Sequence, residues 1–192
     1  MRNWRFKEIV VMAALSVVFG VVYLAFLPLG KLLVGLMGPI GYDFIFGIWF
    51  IVSIIAAYII RKPGAAFLSE TIAAMVEVLI GNATGPMLII TGMVQGIGAE
   101  AVFAATRWKN YATWVLMAAG VGSSVTSFTY GYFMSGYSAL STHYVIAMFV
   151  TRVISGALIA GLLGKALSDG LARTGVLANF AIGKEKRKGR VA

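Results

Sequence analysis

Residues 9–30 carry no charge at all. A run of that length matches the hydrocarbon core of a bilayer, which an α-helix of about 20 apolar residues spans. In lipid such a run has to be helical, because every backbone N–H and C=O must find its partner within the segment. Similar runs recur as far as Leu167, separated by short connections. The pattern predicts an all-α integral membrane protein forming one domain over 1–192. Its six transmembrane helices are expected at about 8–27, 43–60, 64–80, 86–106, 111–130 and 143–167. Residues 29–42, broken by Gly30, Gly35, Gly38, Pro39 and Gly41, are expected to form an apolar loop lying on the bundle or dipping into the interface. A basic tail, 168–192, contains Arg173, Lys184, Lys186, Arg187, Lys188 and Arg190.

Charge sorts the connections. The N-terminal residues Arg2, Arg5 and Lys7, the pair Arg61-Lys62, the pair Arg107 and Lys109, and the tail all fall on one side of a six-span arrangement. The other side receives one lysine, Lys31, and two neutral connections, 81–85 and 131–142. Basic residues accumulate on cytoplasmic loops, so both termini are expected in the cytoplasm. The first run is longer than the apolar part of a signal peptide and lacks a small-x-small cleavage site, so it is expected to be retained.

Several function classes are excluded or disfavoured. A net charge of +9 suggests nucleic acid at first sight, but a chain that is 60% hydrophobic and 12% charged leaves no soluble face for a basic stripe. The charge fits cytoplasmic flanks facing an anionic leaflet instead, and no nucleic-acid partner is expected. Without cysteine there are no disulfides, thiolate nucleophiles or thiolate-bound metals. A single histidine argues against a transition-metal site. No HExxH motif or phosphate-binding GxxxxGK[ST] loop occurs, so neither catalysis, nor a cofactor, nor an ATPase within the chain is expected.

The informative residues are the polar ones inside apolar helices, because each is costly in lipid and marks a function by default. Glu70 and Glu77 share one face of the helix over 64–80, about 10 Å apart along its axis, since seven steps of 100° return nearly to the start. By depth, Glu77 is expected to contact a ligand from an outward cavity, and a pair with Arg152 is the alternative. Glu70 either joins it or pairs with Arg152 or Arg61. Gln95, mid-helix, offers two donors and an acceptor. Asn82 and His143 sit at outer boundaries, where His143 is either a helix-start residue or a site contact. Glu100 is expected to be structural, satisfied by Arg107 or a helix neighbour. Arg152 is expected to be the counter-charge of a glutamate, and Asp43 to cap the outer start of the second helix.

Trp49, Tyr130, Tyr132, Tyr137 and Tyr144 crowd toward the outer side, with Tyr42 in the first connection. They form either an interfacial belt or a stacking cage for a flat heterocycle, with cation–π attraction if the ligand is positive. Small residues at Gly92 and Gly96, and at Gly156, Ala160 and Gly164, permit close helix approach. Together these residues describe a site for a small cationic or nitrogen-rich ligand.

Six spans in a chain of this length, both termini inside, an apolar first loop and no ATPase resemble the substrate-binding S component of an energy-coupling factor (ECF) transporter. More narrowly, Arg61-Lys62-Pro63-Gly64-Ala65 leading to Glu70 and Glu77, then Gly81-Asn82, resembles the YkoE-type thiamine/hydroxymethylpyrimidine family. The six-span pattern alone also fits S components for riboflavin, biotin or cobalt. The resemblance implies high-affinity capture of thiamine or a related pyrimidine from outside a bacterial plasma membrane, with the first loop as lid. It implies a transmembrane coupling (T) subunit and two cytoplasmic ATPase subunits as partners. It also implies a small-residue docking face on the first helix, although here Ala13 and Ala14 are followed four residues on by Val17 and Val18. Under that reading Glu77 is the principal anionic contact, supported by Gln95, Glu70, Asn82, Tyr130, His143, Trp49 and Tyr137. A stand-alone proton-coupled carrier, with Glu70, Glu77 and Glu100 as a relay, is the alternative.

Overall fold

The computed structural model describes residues 4–188; the sequence-level basic residues Arg2 and Arg190 lie outside them. The described residues are helical throughout, with no strand among them. The elements are α1 (Phe6–Met37), α2 (Ile40–Asp43), a 3₁₀ turn (Phe46–Phe50) running into α3 (Ile51–Ile60), α4 (Ala65–Ile80), α5 (Met87–Ala105) and α6 (Thr113–Met134). After a short 3₁₀ turn (Tyr137–Ala139), α7 (Thr142–Ser155) continues through a π-helical stretch (Gly156–Leu163) into α8 (Gly164–Arg173). A final helix, α9, covers Ala181–Lys188.

α3 is apolar all round and every one of its residues is buried, which makes it the axis of the bundle. α4 lies against α1, α3 and α5, and α5 against α6. The small residues set these approaches. A Cβ on Gly92 would meet the Ala74 Cβ at 2.5 Å, and one on Gly96 would meet the Phe67 Cα at 2.9 Å. Gly156 faces Gly120 and Ser124 of α6 in the same way. These glycine rows therefore serve packing within the chain.

In α6 the hydroxyls of Ser123, Ser124, Thr126, Ser127 and Thr129 donate to main-chain carbonyls. Ser123 bonds the Gln95 carbonyl at 2.8 Å, Ser124 the Arg152 carbonyl at 3.0 Å and Thr126 the Val94 carbonyl at 2.9 Å. That satisfies polar groups which an apolar surrounding would otherwise penalise. Among the described residues, three helical stretches are long and apolar enough to cross a membrane: Phe6–Met37, Met87–Ala105 and Thr142–Arg173.

The first connection departs from expectation. Residues 29–37 are not a loop: α1 runs through Pro28 to Met37 and stops at Gly38, whose φ is 77°. Proline removes one helical hydrogen bond, but an apolar setting rewards keeping all the others, so the helix continues. The last long helix likewise passes Leu167 and ends at Arg173. The final basic segment folds back, so that Lys7 bonds the Asn179 carbonyl at 3.3 Å and Arg61 meets Glu185 at 2.5 Å. The basic connections thus gather at one end of the bundle, where Lys62 also pairs with Glu8 at 2.5 Å. At the other end, Tyr144 ties the α1–α2 turn to α7 by accepting from the Ile40 N–H at 3.1 Å.

Candidate functional site

α4 is bounded by Gly64 and Gly81, both with left-handed backbone. Gly81 turns the chain so that the Asn82 N–H bonds the Glu77 carbonyl at 3.0 Å, a frequent way to close a helix. The same turn swings the Asn82 side chain back, and its amide donates to Glu77 Oε2 at 3.0 Å. The Asn82 Oδ1 in turn accepts from the Thr84 N–H at 2.9 Å. Gly81-Asn82 is therefore a local device that orients Glu77 from the end of its own helix.

Glu70 and Glu77 are both buried, 1% and 2% exposed, and lie about two turns apart on one face of α4. Their surroundings differ. Tyr23 of α1 donates to Glu70 Oε2 at 3.2 Å while accepting from the Val52 N–H at 3.0 Å, so Glu70 belongs to a link between α1, α3 and α4. Among the described residues, the Glu77 carboxylate is bonded only by the Asn82 amide. Neither acid takes part in any ion pair among the described residues.

The cation expected to serve them is engaged elsewhere. Arg152 pairs with Asp43 at 2.6 Å, bonds the Tyr137 hydroxyl at 3.2 Å and lies 3.7 Å above the Phe46 ring. Arg152 is thus not the counter-charge of a glutamate, and Asp43, fully buried, is not an outer helix cap. The chain bends at the 3₁₀ turn after α2, and Asp43 sits inside the bundle, where the arginine offsets part of the cost of burying the carboxylate. Glu100 keeps a structural role with different partners. It accepts from the N–H groups of Gly64, Ala66 and Phe67 at 2.6, 3.0 and 3.3 Å and from the Trp108 indole at 2.7 Å. It caps α4 from a neighbouring helix.

Gln95 is 4% exposed, and its side-chain amide has no hydrogen-bond partner among the described residues. The α5 backbone beside it approaches α4 closely: a Cβ on Gly96 would lie 3.2 Å from the Glu70 Cβ. Trp49 is buried, and its indole N–H has no acceptor among the described residues. Its ring stacks on Tyr42, with centroids 4.6 Å apart and planes 18° from parallel. The Phe46 ring lies 6.1 Å from that of Trp49 and under the Arg152 guanidinium, which bonds Tyr137, and the turn that holds Trp49 runs into α3, whose Val52 N–H bonds Tyr23 beside Glu70. A tryptophan–tyrosine stack, two acids without a cation and an unpartnered amide are thereby connected in one region. Such a set can hold a flat, nitrogen-rich, positively charged ring through stacking, charge and amide hydrogen bonds.

Glu77, Glu70, Asn82, Gln95, Trp49 and Tyr137 all belong to this connected interior, although Tyr137 is bonded to Arg152. Tyr130 does not: it borders an apolar groove with Val94, Phe133 and Met134. His143 is exposed at the start of α7. Tyr23 is not among the residues the sequence points to, whereas Tyr42, in the first connection, belongs to the outward aromatic set. The available signal for Tyr42 was Gly30, whose missing side chain admits Tyr42 and Trp49 against α1.

The family model for the permease component of an ABC-type cobalt transport system matches residues 7–126. A Bacillus subtilis (strain 168) protein named putative HMP/thiamine permease protein YkoE is 63% identical over 190 residues, covering 99% of this chain and 96% of that protein. A crystal structure described as an S component of an ECF transporter superposes with a TM-score of 0.96 at 63% identity, covering 98% of this chain and 95% of the other.

Proposed function

The chain belongs to the S components of ECF transporters, within the ABC-type cobalt transport permease family, and on that premise we propose that it captures thiamine or hydroxymethylpyrimidine for import. Like its relatives it is an integral membrane transport subunit and not an enzyme. The observation that carries the ligand class is electrostatic: Glu70 and Glu77 are buried and enter no ion pair among the described residues, while Arg152 is held by Asp43. A buried acid without a counter-charge is expensive, and a cationic ligand removes that expense on binding. The name of the 63%-identical relative points to the same ligand class.

In this reading the aminopyrimidine shared by both ligands donates to Glu77, and Gln95 pairs with a ring nitrogen. Trp49 and Tyr42 stack on a ring, and the positive thiazolium of thiamine gains from the two acids. Glu70 and Asn82 orient the site, and Tyr137 borders it through Arg152. Tyr130 and His143 are left outside the ligand contacts.

The partition of basic residues supports six spans with both termini in the cytoplasm. The capture site then opens outward, and the basic end faces a transmembrane coupling subunit and two ATPase subunits that supply the energy. Isothermal titration of the purified chain with thiamine and with hydroxymethylpyrimidine tests the proposal. Saturable binding of at least one, with mass spectrometry identifying the same molecule in the purified protein, is the expected result. Binding of neither overturns it.

A further inference from the structure

The non-glycine residues with left-handed backbone among the described residues are Arg61 (φ 56°), Arg107 (φ 53°) and Trp108 (φ 53°). All three stand at the basic end of the bundle. Such conformations persist only where the surroundings over-determine them, and they concentrate at functional sites. Trp108 is held by its indole bond to Glu100. Arg61 and Trp108 border one cavity of about 690 Å³, within the size range of small-molecule sites.

The charges around this cavity are unequal. Arg5, Arg61, Lys62, Lys109 and Lys184 face Glu8 and Glu185. Lys62 is matched by Glu8 at 2.5 Å. Lys109 and Lys184 enter none of the ion pairs among the described residues. The Arg61 guanidinium lies against two rings, 5.3 Å from the Tyr58 centroid and 4.9 Å from that of Tyr111. A planar cation stacked and largely withdrawn from water is suited to a carboxylate or a phosphate. Its present partner is the Glu185 carboxylate of α9, whose side chain is 65% exposed against 17% for Arg61. An acid on the short helix α9 thus occupies an anion seat built by the longer helices of the bundle.

We propose that this cavity binds a phosphate-bearing anion, seated on Arg61 and drawn in by Lys109 and Lys184, with Glu185 as the intrachain occupant it displaces. The phosphate belongs either to the headgroup of an anionic phospholipid or to a free phosphate compound. The site is separate from vitamin capture, whose groups lie elsewhere in the bundle, so either proposal stands if the other fails.

The test is thermal unfolding of the purified full chain in neutral detergent, titrated with phosphatidylglycerol, phosphatidylcholine or inorganic pyrophosphate at constant ionic strength. A saturable rise in midpoint with phosphatidylglycerol alone supports the site and assigns it to a lipid headgroup. A rise with pyrophosphate supports the site and shows that a free phosphate suffices. Glu185→Gln is expected to lower the half-saturating concentration several-fold. The double variant Lys109→Gln/Lys184→Gln is expected to raise it about tenfold or more. Equal response to phosphatidylcholine, no response to any probe, or an unchanged half-saturation in Glu185→Gln overturns the proposal. So does an equal weakening by Lys31→Gln, far along α1, which would mark a non-specific charge effect.

Discussion

Asp43 and Arg152 meet at 2.6 Å although 109 residues separate them, and both are buried. The pair ties the segment after α1 to α7, and Tyr137 and Phe46 complete the arginine's surroundings. Removing one partner strands the other charge in an apolar interior, a loss of about 3–5 kcal/mol. Asp43→Asn is therefore expected to lower the unfolding midpoint sharply. The double variant Asp43→Asn/Arg152→Gln should recover part of the loss, because no unpaired charge is left. Thermal unfolding of the two single variants, Asp43→Asn and Arg152→Gln, and of the double variant in one detergent checks this; additive losses would show that the pair is not coupled.

Glu70 and Glu77 lie on one helix and separate by role. A charged hydrogen bond is worth about 1.5–3 kcal/mol, or about 10–100-fold in affinity. Glu77→Gln is expected to lose that much thiamine affinity with little change in unfolding. Glu70→Gln is expected to lower the unfolding midpoint as well, since it weakens the link through Tyr23 to the Val52 N–H. Tyr23→Phe should reproduce the stability loss of Glu70→Gln. Calorimetry and unfolding on the same preparations read both quantities, and equal affinities for Glu77→Gln and the parent chain would remove Glu77 from the ligand contacts.

The two acids were legible in the sequence because carboxylates stand out in apolar helices, and the all-helical class was legible in the length of the apolar runs. Glycine punctuation marks the ends of α4, since Gly64 and Gly81 both need left-handed backbone. Partners were less legible. Spacing says nothing about a contact made across 109 residues, so Arg152 was given to a glutamate and Asp43 to a helix cap. Proline and glycine between residues 28 and 41 suggested a broken segment, yet the demand to satisfy backbone groups in an apolar setting carries α1 on to Met37. Tyr130 and Phe128 are neighbours in sequence, but two steps along a helix turn a side chain by about 200°. Phe128 is buried while Tyr130 borders the apolar groove.

Gly30 tests the aromatic wall of the site. A Cβ there would lie 2.5 Å from Tyr42 Cε2 and 3.2 Å from Trp49 Cη2. Gly30→Ala therefore cannot keep the present Tyr42–Trp49 stack. Alanine is favoured over glycine in a helix by about 0.8–1 kcal/mol, so the variant should remain folded. Its expected signature is weaker thiamine binding with unchanged helix content by circular dichroism. Full affinity in Gly30→Ala would show that the stack is not part of the site.

Glu100 is the last case, because it acts on α4 without belonging to it. It accepts from three N–H groups at the start of that helix and from the Trp108 indole. Helix N-termini leave their first N–H groups without internal partners, and loss of a capping acceptor costs about 0.5–2 kcal/mol. The Trp108 indole loses its acceptor in the same step, which adds about 1–3 kcal/mol if the group stays buried. Glu100→Ala is thus expected to destabilise more than an ordinary cap removal, and hydrogen exchange should quicken at Gly64, Ala66 and Phe67. Glu77 lies at the other end of α4 and keeps its bond to Asn82. Thiamine affinity measured well below the lowered midpoint should therefore stay close to that of the parent chain. A large affinity loss there would place Glu100 in a proton or ligand path, as a carrier with Glu70, Glu77 and Glu100 in relay requires.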